Sequence, residues 1–125
     1  MRWRRQLLWL AALGAVAASI FTSSASATTM GRYAVAARWI NTPYGATLSV
    51  TPSGLAQAMG TPAATGMWND AFAMAGWRPY SSQVYASMYE QLQCHLWYVF
   101  KTPYNLDTWR AQVPWWYELY RRCNP

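Results

Sequence analysis

The stretch Ser87–Arg110, "SMYEQLQCHLWYVFKTPYNLDTWR", decides how the rest of the chain is read. Ser87 and Glu90 have the Ser-x-x-Glu spacing of a capping box, in which two side chains satisfy the backbone N–H groups that open a helix. The spacing predicts a helix from Met88 to about Phe100, stopped by Pro103. On that helix Met88, Leu92, His95, Leu96 and Val99 share one face. Gln91, His95 and Tyr98 form an adjoining stripe, and Glu90, Cys94, Trp97 and Lys101 another. Residues 102–112, "TPYNLDTWRAQ", read as a connection, with a short turn capped by Asp107.

Downstream, Pro114 suits the first turn of a last helix over "WWYELYRR". An amphipathic reading turns Trp116, Leu119, Tyr120 and Cys123 inward. Upstream, Tyr33, Val35, Ala37 and Trp39 alternate, as do Leu48 and Val50 against Thr47, Ser49 and Thr51. With Asn41, Pro43 and Gly45 between them, these runs predict a β-hairpin closed by a loop of several residues. "PSGLAQAMGTPAATG" reads as loop, being dense in Gly, Pro and small residues. Trp68, Ala71, Phe72 and Ala75 then fall on a helical stripe, with Gly76 placed to end it. The expected fold class is α+β: a small single domain with an N-terminal hairpin followed by helices.

The N-terminus has a different character. Arg2, Arg4 and Arg5 precede an apolar run, Leu7–Phe21, and then small residues at Ala25 and Ala27. This is the layout of a secretory signal peptide, expected over 1–27, with a single domain over 28–125 starting at Thr28. An uncleaved anchor is the alternative, although the run is short for a bilayer span of about 20 residues. Without those three arginines, seven basic residues face four acids, a net of +3. That is too mild and too scattered for nucleic acid. An extracellular ligand is expected instead: a cell-surface polymer, a lipid head group or a protein. No stable membrane span is expected after cleavage. Arginine outnumbers lysine nine to one, and alanine is abundant, which points to a GC-rich genome.

Two cysteines, Cys94 and Cys123, allow one pairing, and export favours its oxidation. A loop of this length is stabilised by roughly 3–4 kcal/mol on the chain-entropy model. No metal site is expected, because one histidine, four scattered carboxylates and two oxidised cysteines do not make a ligand set. No cofactor is expected.

His95 is the side chain whose ordinary pKa lies nearest neutrality. As a general base it needs an orienting carboxylate, and the candidates are Glu90, which lies on another face of the helix, Asp107, which could fold back after Pro103, and more remotely Asp70. The alternative is a core-edge histidine bonded to a backbone carbonyl or to Gln91. Lys101 and Arg110 flank "TPYNLDTW" and would hold a phosphate or carboxylate beside Trp109. Alternatively, Arg110 pairs locally with Asp107. Eighteen aromatic residues in the 98 from Thr28 onward are too many for a small core to bury fully. They read either as a binding surface or as packing that compensates for alanine-rich segments.

Leu48, Val50, Thr51, Pro52 and Ser53, then Met88, Gln91, Cys94 and His95, then Lys101, Asn105, Leu106, Asp107, Trp109 and Arg110, and finally Val113, Cys123, Asn124 and Pro125 form a pattern. It resembles a small family of secreted actinobacterial domains of unknown function, with "M-x-x-Q-x-x-C-H", "K-x-x-x-N-L-[DE]-x-W-R" and a terminal Cys-Asn-Pro. Tyr104 and Ala111 depart from the family's usual Trp and Pro, and an arginine often found after the "V-T-P-[ST]" strand is missing. The resemblance implies export, a disulfide and one compact domain, and no particular activity.

The function expected is a secreted, disulfide-stapled binding module with an aromatic and basic surface. The alternative is a small hydrolase of a cell-surface polymer or lipid with His95 as base. Gln91, His95, Lys101, Asn105, Asp107, Trp109 and Arg110 are the candidate binding residues, with His95, Asp107 and Arg110 also the catalytic candidates. Gln91, His95, Asn105, Asp107 and Arg110 are expected to converge beside the disulfide.

Overall fold

A computed structural model of the chain describes residues 30–98 and 101–124. The expected signal peptide and the start at Thr28 lie outside them, as do Val99 and Phe100. The described residues form one small α+β domain, and the hairpin is its first element. β1 (Ala34–Thr42) and β2 (Gly45–Pro52) pair antiparallel from Thr42 opposite Gly45. Only Pro43 and Tyr44 lie between the strands, so the connection is a tight turn and not the longer loop expected. Pro43 brings a fixed φ suited to that position. The Thr42 hydroxyl donates to the Gly45 carbonyl at 2.7 Å and accepts from the Tyr44 N–H at 3.2 Å.

A third strand, β3 (Tyr104–Asp107), pairs antiparallel with β2, making β2 central. This corrects the expected connection and Asp107-capped turn. Two cross-strand rows, Ala37–Val50–Tyr104 and Trp39–Leu48–Leu106, face the core. The segment expected as loop holds a short helix, α1 (Gly54–Met59), capped by the Ser53 hydroxyl on the Ala56 N–H, and a single 3-10 turn, Thr61–Ala63.

α2 (Ala64–Ala75) ends at Gly76, whose φ of 83° is a conformation that favours glycine. It packs on β1 closely enough that a Cβ at Gly66 would overlap the Tyr33 ring. Asp70 on the same helix accepts from the N–H groups of Tyr33 (2.7 Å) and Ala34 (3.2 Å), which fixes where β1 begins. Between β1, α2 and α3 lies an aromatic cluster. Phe72 stacks on Trp77 with centroids 3.8 Å apart, and Trp68 meets Phe72, Tyr85 and Tyr89 edge-on. These rings favour offset and edge-to-face contact and account for much of the aromatic excess as packing.

α3 spans Ser82–Tyr98 and so begins before the expected Met88. Its cap is Ser81, whose hydroxyl accepts from the Val84 N–H at 3.2 Å. Ser87 is buried inside the helix, so the apparent capping box is not one. Met88, Leu92 and Leu96 are buried in the core as expected. α4 (Trp115–Tyr120) follows Pro114. Cys94 and Cys123 form a disulfide that ties the end of α4 to α3.

Candidate functional site

One stripe of α3, Ser87–Gln91–His95, runs along the free edge of β3. The fully buried Gln91 side chain does what a further strand would do. Its amide oxygen accepts from the Asp107 N–H at 2.7 Å and its amide nitrogen donates to the Asp107 carbonyl at 2.9 Å. An edge strand otherwise leaves such groups unpaired. Ser87 donates to the Arg110 carbonyl at 2.8 Å, and the Gln91 amide nitrogen also reaches the Ser87 hydroxyl at 3.3 Å. The Asp107 carboxylate accepts from Arg110 Nε at 2.6 Å, the local pair that the sequence offered as one alternative.

His95 sits one turn further along. Its Nδ1 lies 2.6 Å from the Gln91 carbonyl, which only accepts, so Nδ1 carries the proton and Nε2 is the basic nitrogen. Burial lowers the His95 pKa below its ordinary value; the Gln91 carbonyl and the Asp107 charge oppose this, and Arg110 adds to it. No side-chain partner to His95 is present among the described residues.

His95, Lys101, Pro103, Asn105, Arg122 and Asn124 line a cleft of about 140 Å³. Among the described residues its lining carries two cations, a histidine and two carboxamides, and no acidic side chain. The disulfide positions it: His95 follows Cys94, and Arg122 and Asn124 flank Cys123. The backbone there is unusual. The Cys123 N–H bonds the Glu118 carbonyl and the Arg122 N–H bonds the Leu119 carbonyl, the two bonds of a Schellman end. That motif normally places glycine where Arg122 stands, and Arg122 (φ 53°) and Cys123 (φ 66°) both adopt left-handed backbone. For non-glycine residues this costs on the order of 1–3 kcal/mol each.

Of the stripe expected inward on the last helix, Cys123 is buried and Leu119 half-buried, but the two aromatic residues face out. Trp116 is 68 % exposed and Tyr120 75 %, while Glu118 is fully buried and Cys123 is held inward by its bridge. Both Glu118 carboxyl oxygens lack a hydrogen-bond partner among the described residues. Burial, with the charge of Glu90 adding and that of Arg110 opposing, raises the Glu118 pKa to about 7. Glu90 itself accepts from the Gln112 side-chain amide at 3.0 Å.

The expected polar residues therefore divide. Gln91, Asp107 and Arg110 form one bonded network, with His95 attached through the Gln91 carbonyl. His95, Asn105 and Lys101 line the cleft. Arg110 lines a different, open cleft of about 480 Å³ with Ser81, Val84, Thr108, Trp109 and Gln112, so Lys101 and Arg110 do not form one cation pair. Trp109 lies beside Tyr44 (6.0 Å between centroids) and under the Arg110 guanidinium (5.8 Å). Sequence reasoning left out Arg122 and Asn124 as lining residues. Their place beside Cys123, once paired with the neighbour of His95, was the clue available.

Among the described residues no group of three or more His, Cys, Asp or Glu is placed to hold a metal ion, and no helix is long and apolar enough to cross a membrane. No curated protein and no solved structure matches the chain. A family model does match, over residues 35–125, which takes in all of the sheet but Ala34, the disulfide and the cleft. The chain belongs to that family, described as a protein of unknown function (DUF2599).

Proposed function

We propose that this protein is a secreted binding module that meets an acidic cell-surface polymer or lipid head group through an aromatic and basic face on α4. The observation that carries this is the inverted helix. Burying a large aromatic side chain stabilises a fold by about 1.5–3 kcal/mol, yet Trp116 and Tyr120 face water while Glu118 is buried without a hydrogen-bond partner among the described residues. Arg121 and Arg122 follow directly and are exposed. Rings with one wet edge beside guanidinium groups suit the boundary between a polymer or membrane surface and solvent.

Adsorption to isolated cell-wall polymer and to anionic vesicles tests this. Replacing both Trp116 and Tyr120 with Ala is expected to weaken adsorption about tenfold, the effect of losing binding hot spots, with the melting temperature nearly unchanged. Unchanged adsorption overturns the proposal, and retention on a protein partner alone replaces the ligand class. The extracellular setting rests on residues 1–27 acting as a signal peptide. N-terminal sequencing of protein from the culture medium is expected to read from Thr28 or a neighbour, and a start at Met1 contradicts it.

The second reading, a hydrolase, is favoured by one observation. The Gln91 carbonyl holds Nδ1, and burial keeps the ring neutral, so Nε2 is available as a base near neutral pH. His95→Gln would then abolish polymer or lipid hydrolysis while leaving adsorption intact.

A further inference from the structure

We propose that the cleft between the end of α3, the start of β3 and the C-terminal residues is an oxyanion site that takes a phosphate-type group. This deepens the binding-module reading and rests on it for the extracellular setting. The support is geometric. Two chain segments about twenty residues apart in sequence bring Lys101 and Asn105, and Arg122 and Asn124, to one small concavity. Among the described lining residues two cations gather without a carboxylate, a setting that suits an anion. Asp107, whose charge reaches His95, is itself paired with Arg110. The volume, about 140 Å³, is well below the ~300–1,000 Å³ of sites that enclose a whole small molecule. It fits one anionic group of a larger ligand.

Arg122 supplies the second observation. Its position in the helix ending is one that glycine fills with least strain, yet the chain places an arginine there. Left-handed non-glycine residues gather at functional positions. The disulfide fixes Cys123 beside Cys94, which brings Arg122 and Asn124 to the same cleft as His95. Guanidinium and carboxamide groups offer several N–H donors to an oxyanion, and charge-assisted bonds of this kind are among the stronger ones. His95 offers Nε2 as an acceptor to a monoprotonated phosphate. Protonated, it offers a donor to the dianion, with Lys101, Arg122 and Arg110 opposing its protonation and Asp107 favouring it.

The test is an NMR titration of the purified, disulfide-intact protein with inorganic phosphate, followed by vesicles of phosphatidylglycerol and, as a control, phosphatidylcholine. Saturable shifts are expected at His95, Asn105, Arg122, Cys123 and Asn124. Arg122→Gly is expected to weaken phosphate binding about tenfold, the value of one charge-assisted hydrogen bond, while melting at or above the parent temperature, because glycine relieves the strained backbone. Lys101→Gln is expected to weaken binding similarly, and Arg38→Gln, an equal charge loss on β1, to leave it within about twofold. Phosphate binding without vesicle binding assigns the site to a soluble or polymer-borne oxyanion. Loss of vesicle binding in both Arg122→Gly and Lys101→Gln assigns it to a lipid head group, and loss in Arg122→Gly alone counts against a lipid in the cleft, since Arg122 also borders the α4 face. Absence of saturable phosphate shifts, or equal weakening by Arg38→Gln, overturns the cleft proposal. Neither of these last two results bears on the aromatic face, which Trp116 and Tyr120 test separately.

Discussion

Around β1, β2 and α2, aromatic rings pack on one another over the core, with Trp77, 61 % exposed, at the outer rim. Phe72, Trp77, Trp68 and Tyr85 form a continuous cluster, and Trp39 joins it while its ring N–H donates to the Gly76 carbonyl at 2.8 Å. Around α4 and the outer edge of β3 the arrangement differs. Glu118, Gln91, Ser87 and Asp107 are inside, and Trp97, Trp116 and Tyr120 are outside, while Tyr104 and Leu106 of β3 still join the shared core. The first region is held mainly by apolar burial, which needs no geometry beyond close packing. The second adds directed hydrogen bonds and one covalent bond to that burial. The difference teaches how α4 can turn aromatic rings outward: the bridge and the hydrogen bonds hold it where apolar burial does not.

Four variants sharpen that contrast, in order of effect. Leu48→Ala removes a fully buried side chain from the central strand. It is expected to cost about 4 kcal/mol and lower the melting temperature by well over 10 °C. Replacing both Cys94 and Cys123 with Ser opens a loop whose ends are 29 residues apart, with an expected loss of about 3 kcal/mol in denaturant melts. Gln91→Met keeps the volume and strands two backbone groups of Asp107, costing about 2 kcal/mol; a loss as small as that of a surface substitution would mean that β3 needs no such edge partner.

The smallest effect is pH-dependent. The Glu118 carboxyl, ordinarily near 4.5, is raised to about 7 in the fold. Between those values the folded chain holds a proton that the unfolded chain releases, so this group's contribution to stability declines as pH rises from 4.5 through 7. His95 acts in the opposite sense: its lowered pKa costs stability as pH falls below 6.5. Glu118→Gln is therefore expected to stabilise the protein by about 1 kcal/mol at pH 8 and hardly at all at pH 5, read as the difference between two thermal melts. Equal stabilisation at both values would contradict an ionised, buried Glu118.

Much of the apolar region was readable in the sequence, because alternation and helical spacing are local. Ala37 and Trp39 against Leu48 and Val50, and the Trp68–Ala75 stripe, needed only a window of a few residues, whereas a bulge between Ala34 and Ala36 buries Ala34 and takes Val35 out of the expected alternation. β3 was not readable. "YNLD" is four residues long with two poor strand formers, and its conformation comes from pairing with Thr47–Val50 far back in the chain. Ser87 and Glu90 misled because their spacing occurs inside a helix as readily as at its start, and Ser81 does the capping. The inversion of α4 was hidden for a related reason. Six residues of Trp, Tyr, Leu and Glu read as an aromatic-in helix, and only the bridge at Cys123 decides which side faces α3. Within the candidate site, the disulfide and the Asp107–Arg110 pair could be read from spacing. The split of the polar residues between a bonded network and a separate cleft depends on where β3 lies and could not.

The central claim is that the two regions owe their stability to different forces and can be separated. Amide hydrogen exchange on the protein with Cys94 and Cys123 both changed to Ser measures this residue by residue. The prediction is that protection falls sharply at Tyr117, Glu118, Arg121, Arg122 and Cys123→Ser, whose N–H groups bond within the C-terminal segment, while β1, β2 and α2 keep protection set by their apolar core. Uniform loss of protection across the hairpin, α2 and α4 would contradict it, showing one cooperative unit whose outward-facing helix depends on the same core as the rest.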